Sequence, residues 1–248
     1  MMKKILVRTL LVLLSITLIS WWIPAEAATN ISPELKAQVL QIIRENPEVL
    51  IESVQAYQQK QQQEIQERRK IVLDTVKNNP QAVIAESPTI GATEGKILLV
   101  EFSDFQCPYC AQAHKTLKEF MAKHQDEVEL VYKHFPLTDI HPQAVAAAKA
   151  AWAAFRQGKF WEYQDVLFSN QDKLGEEFYV ETAKGLNLNV EEFNRDRNSP
   201  ASDMALRQDM ALGNSLGIYG TPFFMMNDEL FTGAVKLSDM EAILDKVR

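Results

Sequence analysis

The chain has 248 residues, 46% of them hydrophobic, and a formal net charge of −7. That length suits one domain of up to ~200 residues with an appendage, and the acidic balance speaks against nucleic acid or an anionic membrane as partner. It contains two cysteines, Cys107 and Cys110, so a framework of several disulfides is excluded.

The opening segment is tripartite. Lys3, Lys4 and Arg8 form a charged start, Leu10 to Ile23 a mostly apolar run, and Ala25-Glu26-Ala27 places small residues where cleavage occurs. The run is short for a membrane span and is interrupted by Ser15, Thr17 and Ser20. Residues 1–27 therefore read as a signal peptide, with the mature protein starting near Ala28; an uncleaved anchor is the competing reading. Export implies the periplasm or another extracytoplasmic, oxidising compartment.

Residues 28–79 read as a helical extension. Ser32-Pro33 is an N-cap followed by proline at the first helical position, and Leu35, Val39, Ile42 and Ile43 recur at helical spacing. Asn46-Pro47 starts a second helix, striped by Val49, Leu50, Val54 and Tyr57. Between Gln58 and Lys70 Ile65 is the single aliphatic residue, and Asn79-Pro80 stops the helix. A stripe this thin buries little alone. Two readings stay open: a stalk for homo-oligomerisation, with Val54, Tyr57, Gln61, Ile65, Arg68 and Val72 near a coiled-coil seam, or a solvated helix lying on its own domain.

Ile97 to Phe102 is apolar except for Glu101, the pattern of a strand buried on both faces. A carboxylate there is costly unless it has a partner or a task. Glu101 shares a face with Leu99 and Ser103 and is placed to accept or relay the proton of a nearby thiol, unless it reaches water at the strand end. Asp104, in the following turn, reads as a solvated or capping residue. The next residues are Cys107-Pro108-Tyr109-Cys110. Cys107 falls at a helix N-terminus, where unpaired N–H groups and the dipole favour a thiolate. Pro108 suits the first turn, and Cys110 lies a turn deeper. The spacing closes too small a loop to staple a fold, so the pair reads as redox-active, with Cys107 attacking and Cys110 resolving.

The cysteine helix continues through Leu117, Phe120 and Met121, and Val128 to Phe135 forms a second strand. A helical block follows from about 141 to 217: His141 to Arg156, Phe160 to Phe168, Glu176 to Lys184, an Asn189/Glu192 capping pattern, and a helix from Ser199-Pro200 to Gly217. Gly220-Thr221-Pro222 leads into a strand, Phe223 to Met226; Asn227-Asp228 turns the chain into Leu230 to Thr232. Ser238 with Glu241 reads as the capping box of a last helix.

The Cys-Pro-Tyr-Cys motif at a strand-to-helix turn, the acid at Glu101, the helical block and Gly220-Thr221-Pro222 before the late hairpin together resemble the DsbA-type thiol–disulfide oxidoreductases, over roughly Pro88 to Arg248. The N-terminal helices and the Pro-Tyr dipeptide look closest to ScsC-like members. The resemblance implies an α/β thioredoxin-like fold with a helical insertion, in a catalytic domain of residues 80–248. It implies catalytic roles for Cys107, Cys110 and Glu101, redox tuning by Pro108 and Tyr109, and substrate contacts by Thr221 and a cis Pro222. Tyr109 stands where the type oxidase has histidine and cannot become a cation to hold the thiolate. The implied function is disulfide exchange with exported protein substrates, as oxidase or isomerase, needing no metal or organic cofactor but a membrane redox partner to reset it. Two other readings remain: a copper or zinc site using the cysteines with His114, and a non-catalytic chaperone or binding module.

Overall fold

The computed structural model describes residues 32–93 and 97–248; the signal-peptide reading of 1–27 lies outside them. Among the described residues no helix is long and apolar enough to cross a membrane. The chain divides into two compact units, the first ending at Gln59 and the second running from Lys60 to Arg248.

In the first unit, helix α1 (Pro33–Glu45) starts as its cap predicts, the Ser32 hydroxyl accepting from the Leu35 amide at 3.1 Å. α1 buries no residue. Helix α2 (Pro47–Asn78) begins here and leaves Val49, Leu50, Ile51, Val54 and Tyr57 exposed. Its later turns belong to the second unit, in which Val72 and Val76 are buried. The compact unit thus begins before the Asn79–Pro80 boundary chosen from the sequence. The reason is packing: Ile65 lies against Gly217, and Arg69 donates twice to the Leu216 carbonyl, at 3.1 and 2.8 Å. Ile65 and Val72 of the suggested seam therefore face their own domain.

After α3 (Pro80–Ile84) the second unit is built on five strands: β1 (Thr89–Gly91), β2 (Ile97–Ser103), β3 (Val128–His134), β4 (Phe223–Met226) and β5 (Glu229–Thr232). Their order is β1-β3-β2-β4-β5. β2 and β3 are parallel, and the other pairings are antiparallel. Every residue of β2 and β3 is buried, as expected of central strands covered on both faces. One face carries Leu99, packed with Leu117 and Phe120 of α4 (Pro108–His124) and Met240 and Leu244 of α10 (Leu237–Val247). The other carries Val100 and Phe102, packed with Phe135, Leu216 and the α2 valines. Each such apolar side chain contributes about 1.5–3 kcal/mol on burial.

Between β3 and β4 lies the helical insertion: α5 (Ala144–Arg156), α6 (Phe160–Ser169), a 3₁₀ turn (Gln171–Lys173), α7 (Glu176–Gly185), α8 (Val190–Arg197) and α9 (Pro200–Ser215). The alanines of α5 allow close helix contact, and seven of them are buried. Asn189 and Ser199 cap as predicted, accepting from Glu192 N at 3.1 Å and Ser202 N at 3.3 Å. The box predicted at Ser238/Glu241 does not form. α10 starts after Lys236, and the Glu241 carboxylate pairs with Lys123 instead, at 2.9 Å.

Candidate active site

β2 runs into a turn that delivers Cys107 to the N-cap of α4, with Pro108 as the first helical residue. The turn is held by Asp104, which is buried and not solvated. Its Oδ1 accepts from Gln106 N at 2.8 Å; its Oδ2 accepts from Leu137 N and bonds His141 Nδ1, each at 2.8 Å. Asp104 thereby ties the turn to the loop after β3. Gln171, far away in sequence, clamps the same turn from the insertion: its amide donates to the carbonyls of Phe105 and Cys107, both at 2.8 Å. Only tertiary structure brings Gln171 here, and no local pattern marks it.

Both cysteines are free thiols, Cys107 4% exposed and Cys110 fully buried. The Thr221–Pro222 bond is cis, and the Thr221 carbonyl accepts from Cys107 Sγ at 3.3 Å. The hydrogen bond from Cys110 draws the Cys107 thiol down to about 6 against the cost of burial, with further help from Thr221 and the helix-start amides. Cys110 moves the opposite way: burial, then the neighbouring Cys107 thiolate, push it far above the ordinary thiol value. One sulfur thus gives up its proton more readily than an ordinary thiol, and the other holds its proton. Tyr109 is 62% exposed beside them.

Beneath Cys110 lies a polar row that the alternation of β2 and β3 puts on one sheet face. Glu101 is in register with Tyr132, and Ser103 with His134; all four are buried. Glu101 does not reach water, and burial raises its carboxyl to about 7. The Ser103 hydroxyl sits close enough to lower Glu101, Cys110 and Tyr132 alike, without a hydrogen bond of ordinary geometry to any of them. Burial takes His134 down to about 3, so it is neutral. His114, the candidate third metal ligand, bonds Asp165 Oδ1 at 2.6 Å. Among the described residues no group of three or more His, Cys, Asp and Glu side chains is arranged to hold a metal ion.

A strand-to-helix cysteine pair facing a cis-proline loop, on a mixed sheet with a helical insertion, defines a thiol–disulfide oxidoreductase fold. The chain belongs to the thioredoxin family, whose model matches residues 84–246, with a DsbA-type insertion and an ScsC-like N-terminal extension. Residues 36–64 match the N-terminal domain of the copper resistance protein ScsC. Among solved structures, a thioredoxin-like oxidoreductase from Silicibacter pomeroyi is 31% identical, with a TM-score of 0.63 over 68% of this chain and 98% of that one. ScsC of Proteus mirabilis in a transitional conformation is 25% identical, with a TM-score of 0.61 over 90% of this chain and 98% of that one. A curated relative, the Na(+)/H(+) antiporter NhaA 3 of Salinispora tropica, is 34% identical over 152 residues, 61% of this chain but 23% of the antiporter. The chain thus spans about a quarter of the length of the curated relatives it matches.

Proposed function

We propose that the protein exchanges disulfides with exported protein substrates through Cys107 and Cys110. The observation that carries this reading is the opposite displacement of the two thiols, Cys107 down to about 6 and Cys110 far up. In the oxidising direction, a substrate thiolate attacks Cys107 Sγ. The Cys107–Cys110 bond breaks, and Cys110 leaves with the electron pair and takes a proton from Glu101. A second substrate thiolate then attacks the substrate sulfur of the mixed disulfide and expels Cys107 as a thiolate. The substrate has lost two electrons and the enzyme has gained them; a membrane redox partner removes them again. In the isomerase direction, the Cys107 thiolate attacks a wrong substrate disulfide. The carbonyl of Thr221, before Pro222, lies against the reacting sulfur and offers backbone pairing to an extended substrate peptide. Pro108 starts the helix that favours the thiolate, and Tyr109 offers an apolar contact at the rim.

The test is trapping. Cys110→Ala should accumulate mixed disulfides with client proteins, and Cys107→Ala should accumulate none. Equal trapping by both variants would sink the assignment.

A further inference from the structure

The protonated Cys110 and the buried Glu101 need a way to exchange protons with solvent, and Glu101 is among the residues that line a cavity of about 300 Å³. Its walls are apolar, with Leu117 and Met121 from α4 and Leu130 from β3. Its titratable and charged groups are Glu101 from β2, His114 and Lys118 from α4, and Glu162 and Asp165 from α6. β1 adds only Ile90. From the sulfur side Glu101 is faced by Tyr132 and Ser103, and the same two side chains also neighbour Cys110.

Both Glu101 carboxyl oxygens, the Ser103 hydroxyl, the Tyr132 hydroxyl and both His134 ring nitrogens are buried without a protein partner among the described residues. Native structures rarely strand so many polar atoms in one place, and a cluster with several polar partners is where buried water is held. At the outer wall His114, 8% exposed, bonds Asp165, which also accepts from Lys118 at 2.7 Å. Burial holds His114 below its ordinary value while Asp165 pulls it up.

Building on the exchange reaction proposed above, we propose that Glu101 trades protons with solvent through this cavity, with the His114–Asp165 pair as the relay at its mouth. When the Cys107–Cys110 bond breaks, Glu101 gives its proton to Cys110 by way of the Ser103 hydroxyl, and the resulting carboxylate is reprotonated from solvent through His114. On reoxidation the proton returns by the same path. His114 and Asp165 act through Glu101 and are positioning residues.

The experiment is single-turnover reduction of the oxidised full-length protein by a dithiol peptide, with rate and solvent deuterium isotope effect followed against pH. His114→Gln and the isosteric, half-exposed Asp165→Asn should each slow the step on the order of tenfold, less than the roughly 10²–10⁴-fold of a group acting directly on the reacting atoms, and enlarge the isotope effect. The equilibrium constant with glutathione should not move. His114→Ala should regain rate with added imidazole. Unchanged rates and isotope effects in His114→Gln and Asp165→Asn would overturn the proposal, as would a loss in His114→Ala that imidazole does not restore. A wild-type protein that fails to react with the dithiol would overturn the exchange reaction itself, an outcome the variants cannot mimic.

Discussion

Glu101 shows how the burial of one residue can cost stability. Its carboxyl is fully buried and sits at about 7 instead of 4.5, because burial penalises the charged form. With a folded value above the unfolded one, its contribution to stability is fully present below pH 4.5 and is lost as pH rises through 7. The shift corresponds to a loss on the order of 3 kcal/mol at pH 8 and above. Glu101→Gln, which cannot ionise, should therefore be more stable than the parent at pH 8 and equal to it at pH 4, as measured by urea unfolding of the reduced protein. In the exchange reaction proposed above, the same variant should react more slowly at pH 7, because it removes the group assigned to protonate Cys110. A Glu101→Gln protein with unchanged stability profile and rate would make the residue a bystander. Cys107 has the opposite sign: its depressed value stabilises the reduced form fully above the ordinary thiol value of 9.0, and that stabilisation is lost as pH falls through 6. This favours the reduced enzyme and makes its disulfide the more oxidising.

At the scale of elements, the site depends on how the insertion is fastened to the sheet. Lys133 at the end of β3 pairs with Asp209 of α9 at 3.1 Å, both buried. Lys133 also donates to the Ser87 hydroxyl at 2.7 Å, and Asp209 accepts from His134 N at 2.9 Å. Asp209→Ala would strand a buried ammonium, and removing one partner of such a pair costs about 3–5 kcal/mol. Thermal unfolding should show that loss. Lys133→Met with Asp209→Leu should recover much of it, because no charge is then left unpaired. Nothing in the local sequence marked this latch or the Gln171 clamp, since both join residues far apart in the chain. β2, β3, α4 and the late hairpin were legible from apolar runs, Pro108 and the Gly-Thr-Pro turn, all local signals. The three-residue edge strand β1 was not: Thr89–Gly91 is too short to show alternation, and it exists only because β3 offers it partners from Glu129 to Val131. The Ser238/Glu241 box failed for a related reason, Glu241 being drawn to Lys123 across to α4. Glu101 stood out because a carboxylate interrupts an apolar run, whereas Tyr132 and His134 look like ordinary strand residues until the register sets them opposite Glu101 and Ser103.

For the whole molecule, the exposed stripe of α1 and early α2 is unlike anything in the second unit. Leu35, Val39, Leu40, Ile42, Val49, Leu50, Ile51, Val54 and Tyr57 are each 43% or more exposed, an apolar surface of the kind that marks association sites. A second copy of the chain would bury it, and several active sites held around one client would favour isomerisation, because a second engagement becomes intramolecular. The point of truncation follows from packing. Removal of residues through Gln59 takes away only the exposed stripe; removal through Asn79 also strips Val72, Val76 and the Arg69 bonds from the second unit. Two valines at about 1.5 kcal/mol each put the added cost at about 3 kcal/mol or more. Light scattering should find the protein lacking the first 27 residues as an oligomer and the Gln59 truncation as a folded monomer. That truncation should keep dithiol oxidation and lose disulfide isomerisation, and the Asn79 truncation should melt well below it. Were the longer protein monomeric at micromolar concentration, the stripe would have no copy of itself to meet, and plain oxidation would be the activity left to the cysteine pair.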